Sequence, residues 1–207
     1  MNAGDLELLR QLHVPHETID RLKSFVQILD EASAGQNLIS AGTRPQLWQR
    51  HILDSLQLLP LAEGTGSWLD VGTGAGFPGL VIAIAEPNRQ MILAEPRALR
   101  VGFLREVASK LHLDNVAVHQ KKVQLIASPP VSVISARAVA PLTNLIESTT
   151  HLADEQTLWL LMKGRSARSE LEQARATWQG EFRLVPSLTD PDAAIVVASG
   201  LKRRVKR

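Results

Sequence analysis

The chain contains no cysteine. Disulfide bonds, thiolate zinc centres and cysteine-ligated iron–sulfur clusters are therefore excluded. Long hydrophobic runs are missing too, since no apolar stretch approaches the roughly 20 residues a membrane-spanning helix needs. The opening residues, MNAGDLELLRQL, are mixed and acidic, without the basic segment and cleavage site of a secretory signal. A cytoplasmic protein without membrane partner or metal is the expectation. Neither charge sign dominates, because 23 Lys and Arg stand against 21 Asp and Glu. Distribution says more than balance. Lys202-Arg203-Arg204-Val205-Lys206-Arg207 gathers the cations at the end of the chain, a tail that suits phosphate tracking or plain solvation equally well.

What is present centres on Leu69–Gly79, LDVGTGAGFPG. Ser67–Val71 reads as a buried strand, a glycine turn follows, and Pro78 opens the apolar helical run Leu80–Ala85. Strand, glycine turn and helix bring backbone N–H groups and a positive helix end to a nucleotide-like ligand. A dinucleotide fingerprint needs glycine three residues after Gly74, and Phe77 stands there. Asp70-x-Gly72-x-Gly74-x-Gly76, with Thr73 inside it, instead resembles motif I of S-adenosylmethionine (AdoMet)-dependent methyltransferases. The acid can accept the ligand's ammonium, and the glycines admit close backbone approach. A tight turn without ligand shares the local pattern.

The 207 residues and 44% hydrophobic content suit one α/β domain with an appendage. Ile19, Leu22, Phe25, Val26 and Leu29 predict an amphipathic helix over 16–32. Thr43-x-x-Gln46 reads as a capping box before a second helix that carries Leu47, Ile52, Leu56 and Leu59 to Pro60. Residues 63–66 are the link. The expected division is a helical N-terminal appendage over 1–64 and a main domain over 65–207. Strands follow at 90–95, 116–119, 131–135, 157–162, 182–186 and 194–198. Helices are expected over 97–111, with Leu99, Phe103, Leu104, Val107 and Leu111 inward, then over 141–152 and 166–178. Such alternation predicts a doubly wound, mostly parallel sheet.

Ligands of doubly wound sheets sit at the carboxyl ends of the strands. The second strand ends in Glu95, suitably placed to accept both hydroxyls of a ribose, or else simply solvated. Gln124, in the loop after the third strand, could meet an adenine amine or lie on a plain surface loop. Arg137 after the fourth strand is a planar cation, open to a ligand or a structural ion pair. Lys163, Arg165 and Arg168 after the fifth form, with Arg137, a candidate phosphate rim. In the appendage, Arg50 and Asp54 have the spacing of an i,i+4 ion pair. His51 reads as a half-buried histidine and Asn37 as a turn residue.

Taken together these stretches resemble the RsmG (GidB) family of bacterial guanine-N7 methyltransferases of small-subunit ribosomal RNA. The matching stretches are Asn37–Ser40, Arg50–Ser55, Leu69–Gly79, Arg100 with Phe103-Leu104, Arg137–Leu142 and Lys163-Gly164. The resemblance implies a Rossmann-like methyltransferase domain behind a helical appendage, AdoMet as donor, and 16S ribosomal RNA or the small subunit as partner. The implied acceptor is a guanine of the decoding-region loop. It also implies a cofactor site at Asp70, Gly72, Thr73, Gly74, Gly76, Phe77, Glu95, Val123, Gln124 and Arg137. Substrate contacts would fall on Asn37, Arg50, Pro78, Lys163, Arg203 and Arg204, with Arg137, Lys163, His51 and Arg50 around the chemistry. The chain departs from the family at Ala32-Ser33, where a tryptophan-asparagine pair is usual. It departs again at Lys122 and Gln124, where the family has an arginine and an acid.

Without cysteine, methylation through a cysteine adduct and radical AdoMet chemistry are excluded, so the acceptor must be nucleophilic itself or activated by an ordinary base. Proline-proline-aromatic, the mark of enzymes that methylate exocyclic amines, is not found after the fourth strand. Two alternatives stay open at this point. One is ribose or small-molecule O-methylation, with Lys163 as half of a base pair. The other is a non-catalytic RNA-binding module on a methyltransferase fold.

Overall fold

The computed structural model describes residues 1–204 apart from positions 34, 41, 63, 65 and 138. Half of the expected link and the last three residues of the basic tail lie outside the described residues. Helices α1 (Ala3–Gln11) and α2 (His16–Ala32) open the chain. Asn2 and Asp5 start α1 with reciprocal side-chain-to-backbone hydrogen bonds. The expected bounds of α2 are met, and it buries Leu22, Phe25 and Leu29.

The next segment differs from expectation. Thr43 makes no capping box, because its hydroxyl donates to the Ser40 carbonyl (3.0 Å). The single helix expected up to Pro60 is instead a 3₁₀ turn (Arg44–Gln46), a π-helical stretch (Trp48–Leu53), the short α3 (Asp54–Leu56) and a second 3₁₀ turn (Leu59–Leu61). A π-helical stretch rotates side chains away from α-helical register. Among the described ion pairs Asp54 therefore meets Arg137 rather than Arg50.

The main unit runs β1 (Trp68–Val71), α4 (Gly79–Ala85), β2 (Met91–Ala94), α5 (Ala98–Lys110), β3 (Val116–His119), β4 (Val133–Arg137), α6 (Leu142–Thr149), β5 (Leu158–Lys163), α7 (Ala167–Thr177), β6 (Trp178–Pro186) and β7 (Ala194–Arg203). Its seven strands form one sheet in the order β3-β2-β1-β4-β5-β7-β6. β3, β2, β1, β4 and β5 pair in parallel, and β7 runs antiparallel between β5 and β6. Strand order reverses between β1 and β4, which opens a crevice at their carboxyl ends.

Each face of the sheet has its own core. One cluster joins Leu9, Leu22 and Phe25 of the first two helices to Leu80 of α4 and Phe103 of α5. The other holds Leu145 of α6 and Leu171 of α7. Covered by the sheet on one side and by the appendage on the other, α4 buries every residue from Gly79 to Ile84. Leu99, expected inward, is 78% exposed, and Val101 is buried instead. α5 begins at Ala98, so Leu99 lies in its first turn, where it stays exposed. β6 and β7 are longer than expected. Lys202 and Arg203 are strand residues, paired with Gln179 and Trp178. No described helix is long and apolar enough to cross a membrane.

Candidate active site

The glycine turn is built on Asp70. This residue is fully buried, and its Oδ2 accepts the Gly79 N–H at the start of α4 (2.9 Å). Its Oδ1 accepts the Ser135 hydroxyl (2.8 Å), which itself accepts the Trp68 indole N–H (2.8 Å). Burial pushes the carboxyl above its ordinary value, and these donors pull against that. Asp70 was expected to receive a ligand's ammonium directly. Both oxygens accept from within the protein, so Asp70 shapes the turn.

Gly72 and Gly74 hold left-handed backbone, with φ of 66° and 60°. A Cβ at Gly74 would meet the Arg100 guanidinium at 3.1 Å, and one at Gly72 a Val139 methyl at 2.8 Å. Glu95, almost wholly buried, accepts the Gly74 N–H through Oε2 (3.1 Å) and the Arg97 N–H through Oε1 (3.0 Å). The Thr73 hydroxyl is buried beside Asp70, whose carboxyl it pulls down against burial, though not in close hydrogen-bond geometry. A turn whose glycines admit close backbone approach and a carboxylate at the end of β2 fit a ligand that carries a ribose. AdoMet is such a ligand.

Other expected cofactor and substrate residues are placed differently. Gly76 is buried within the turn. Phe77 is buried in the core, and Pro78 is buried at the start of α4, so neither ring faces a crevice. Val123 is buried under the loop after β3, with Gln124 exposed beside it.

Phe77 links the turn to the appendage. Its ring packs against Phe25 (centroids 5.6 Å) and stacks on His51 (4.8 Å, 24°), and the Arg137 guanidinium lies 5.2 Å from its centroid. Arg137 donates to the Arg50 carbonyl (2.9 Å) and to His51 Nδ1 (2.9 Å), with Asp54 Oδ2 at 3.5 Å. A guanidinium has no acceptor, so Nδ1 carries the lone pair and Nε2 the proton. That Nε2–H faces the Thr43 hydroxyl at 3.3 Å. Burial, then the Arg137 and Arg50 charges, lower the His51 pKa to about 4. Burial also raises Asp54 and lowers Arg137. The expected quartet is thus partly assembled: His51 and Arg137 meet, and Arg50 contributes its carbonyl while its side chain stays exposed.

Lys163 departs from its expected role. Its ammonium pairs with Glu170 (2.9 Å) and donates to the Ala140 carbonyl. Glu170 also accepts from Ser166 (2.6 Å) and the Leu142 N–H (2.8 Å). Burial pushes the Glu170 carboxyl up, but these donors outweigh it and hold the group below its ordinary value. Lys163 is therefore a brace between β5, α7 and the loop before α6. Arg165 forms an exposed surface pair with Asp192 (2.8 Å) and Arg168 is exposed, so of the expected rim these two cations lie at the surface while Lys163 is turned inward.

Arg203 and Arg204 do not join the site. β7 runs against β5, with Ala194 beside Lys163 and Ser199 beside Leu158. Ten residues of strand therefore carry Arg203 roughly 30 Å away. There it pairs with Glu147 (2.8 Å), while Arg204 donates to the Arg175 carbonyl (2.9 Å). Asn37 is exposed on the appendage.

A cavity of about 310 Å³ adjoins Arg137, lined among others by His51, Asp54, Gln57, Lys163 and Thr189. Its outer wall is the loop between β6 and β7, which sequence reasoning missed. Gln57 accepts the Leu188 N–H (2.8 Å) and donates to Ser187 (3.2 Å), and the Thr189 hydroxyl donates to Asp54 Oδ1 (2.7 Å). These partners are 130 or more positions apart, and no local signal announces them. No cluster of three metal-ligating His, Asp or Glu occurs among the described residues.

Solved structures with a similar fold include a SAM-dependent methyltransferase from Aquifex aeolicus, 17% identical, with a TM-score of 0.58 over 75% of this chain and 92% of that one. Another is the ribosomal protein L11 methylase of Lactobacillus delbrueckii subsp. bulgaricus, 16% identical, at 0.57 over 74% and 78%. These likenesses concern the fold. Curated relatives reach further: a ribosomal RNA small subunit methyltransferase G from Rhizorhabdus wittichii is 46% identical over 93% of this chain and 90% of its own length. One from Zymomonas mobilis subsp. mobilis is 41% identical over 94% and 91%. Residues 18–192 match the family GidB, described as rRNA small subunit methyltransferase G, and this chain belongs to that family.

Proposed function

We propose that the chain methylates N7 of a guanine in 16S ribosomal RNA, with AdoMet as donor and the RNA or the small subunit as partner. Family membership supports the reaction class. The single observation that carries the mechanism is Arg137, fixed at the end of β4 by His51, the Arg50 carbonyl and Asp54, beside the glycine turn. Bound AdoMet supplies a methyl group on a sulfonium, ready for in-line displacement. Glu95, at the end of β2, and the glycine backbone of the turn would border the donor. Arg137 would anchor the guanine through O6 or a neighbouring phosphate, because a fork on both O6 and N7 would block the reacting atom.

N7 carries an in-plane lone pair and no proton, so transfer needs positioning rather than a base. The residues around Arg137 support this. His51 gives its lone pair to Arg137, and the Lys163 ammonium is committed to Glu170 and Ala140. O-methylation thereby loses the lysine it would need. Mapping N7-methylguanine in small-subunit RNA, from cells with and without the gene, tests the reading. Loss of one such site on deletion is expected, and an unchanged map refutes it. Single-turnover rates at saturating RNA and AdoMet should show no required base ionising between about pH 6 and 9. A tenfold rise per pH unit, abolished in Lys163→Ala, would instead favour O-methylation.

A further inference from the structure

Arg137 and Asp54 stand side by side on the cavity wall, a donor next to an acceptor, with Nη1 and Oδ2 3.5 Å apart. Asp54 Oδ1 is filled by the Gln57 amide and the Thr189 hydroxyl, each at 2.7 Å. Oδ2 meets only the Arg137 guanidinium, at 3.5 Å, among the described residues, and so keeps a lone pair to accept a further donor. The carboxylate cannot swing away, because Gln57 and Thr189 tie it to both walls. The other carboxylate on the lining, Asp190, receives the Asp192 N–H (2.9 Å) out on the β6–β7 loop. The cavity volume of about 310 Å³ is that of a small-molecule site.

We propose that Asp54 reads the N1–H of the target guanine while Arg137 holds its O6. This rests on the preceding reading of guanine N7 as acceptor. With N7 turned to the glycine turn, the base presents O6 next and N1–H after it, away from the donor. An acceptor followed by a donor on guanine meets a donor followed by an acceptor on the protein. Adenine reverses both, placing an amine against Arg137 and a lone pair against a carboxylate. Each mismatch leaves a buried group unpaired, the strongest form of rejection available to a hydrogen-bonding site. Asp54 thus adds base identity to a site whose glycine turn serves only the donor.

The test uses 16S RNA assembled around a synthetic segment in which 2-aminopurine replaces the target guanine. That base keeps N7 and the 2-amine but lacks O6 and has a bare lone pair at N1. The wild-type chain should methylate it at least about tenfold more slowly than guanine in single turnover. In Asp54→Asn, whose amide can donate to that lone pair, the two rates should come within about threefold, with AdoMet affinity unchanged. Should Asp54→Asn fail to fold, Asp54→Gln presents a donating amide on a side chain long enough to reach the base, with the same expected narrowing. Equal wild-type rates on the two RNAs overturn the proposal, and so does a folded variant that keeps the wild-type ratio. No wild-type transfer to guanine at all removes the underlying reading instead.

Discussion

Replacing His51 by Asn tests how Arg137 is held. The imidazole accepts from Arg137 only while Nδ1 is unprotonated, and its pKa is lowered from 6.5 to about 4 by burial and by the two arginines. The folded state therefore binds fewer protons than the unfolded chain between those two values. Stability from this group is complete above pH 6.5 and falls as pH drops towards 4. One pH unit inside that window corresponds to about 1.4 kcal/mol at most. His51 is partly solvated, so about 1–2 kcal/mol should be lost between pH 6.5 and about 5. Asp54 and Asp70, raised by burial, act in the opposite direction, since their folded forms take up protons first as pH falls. The informative quantity is thus the difference between wild type and His51→Asn, in which the aspartates cancel. Urea unfolding at about pH 7.5, 6.5 and 5 should show the wild-type advantage shrinking as acid is added. Nitrogen chemical shifts at neutral pH should report a bare Nδ1 and a protonated Nε2. A difference that stays flat across that range, or the opposite tautomer, refutes the account of Arg137.

Three further outcomes are expected. Gly74→Val places a branched side chain in left-handed backbone against Arg100, and should abolish AdoMet binding in calorimetry while circular dichroism stays native. Arg137→Ala should lose methyl transfer and about 1–3 kcal/mol of stability from the unpaired Asp54, whereas Arg137→Lys should restore only part of the rate at unchanged cofactor affinity. Paired Arg203→Ala and Arg204→Ala should leave the single-turnover rate at saturating RNA intact, since both lie at the far edge. Any effect should appear in RNA binding as a salt slope flatter by roughly one unit for each phosphate no longer neutralised.

Elements whose residues repeat with a clean period were legible from the sequence alone. α2 and β3 have their expected bounds because apolar spacing is the whole of their local signal. The glycine turn was legible from its own spacing, and Glu95 and Arg137 were singled out by the rule that ligands gather after the parallel strands. That rule places a residue at an edge but does not aim its side chain. Lys163 stands where expected and points to Glu170, a partner that depends on how α7 packs. The Arg50–Asp54 spacing misled because a π-helical stretch and an α-helix share the same sequence signals. The tail was misplaced for a topological reason: only the antiparallel insertion of β7 beside β5 reveals which edge it reaches.

Phe77 occupies the position where a dinucleotide-binding turn would need its third glycine, and its ring is clasped between Phe25 and His51. One side chain thus stands where a dinucleotide-binding turn would have glycine and also packs on His51, which holds Arg137. Selection cannot retune one of those properties without disturbing the other. Grafting this turn onto a dinucleotide scaffold would transplant a donor site with no acceptor side. Restoring the glycine here would widen the turn and unseat Arg137 together. Turn geometry and the seating of Arg137 depend on one shared ring.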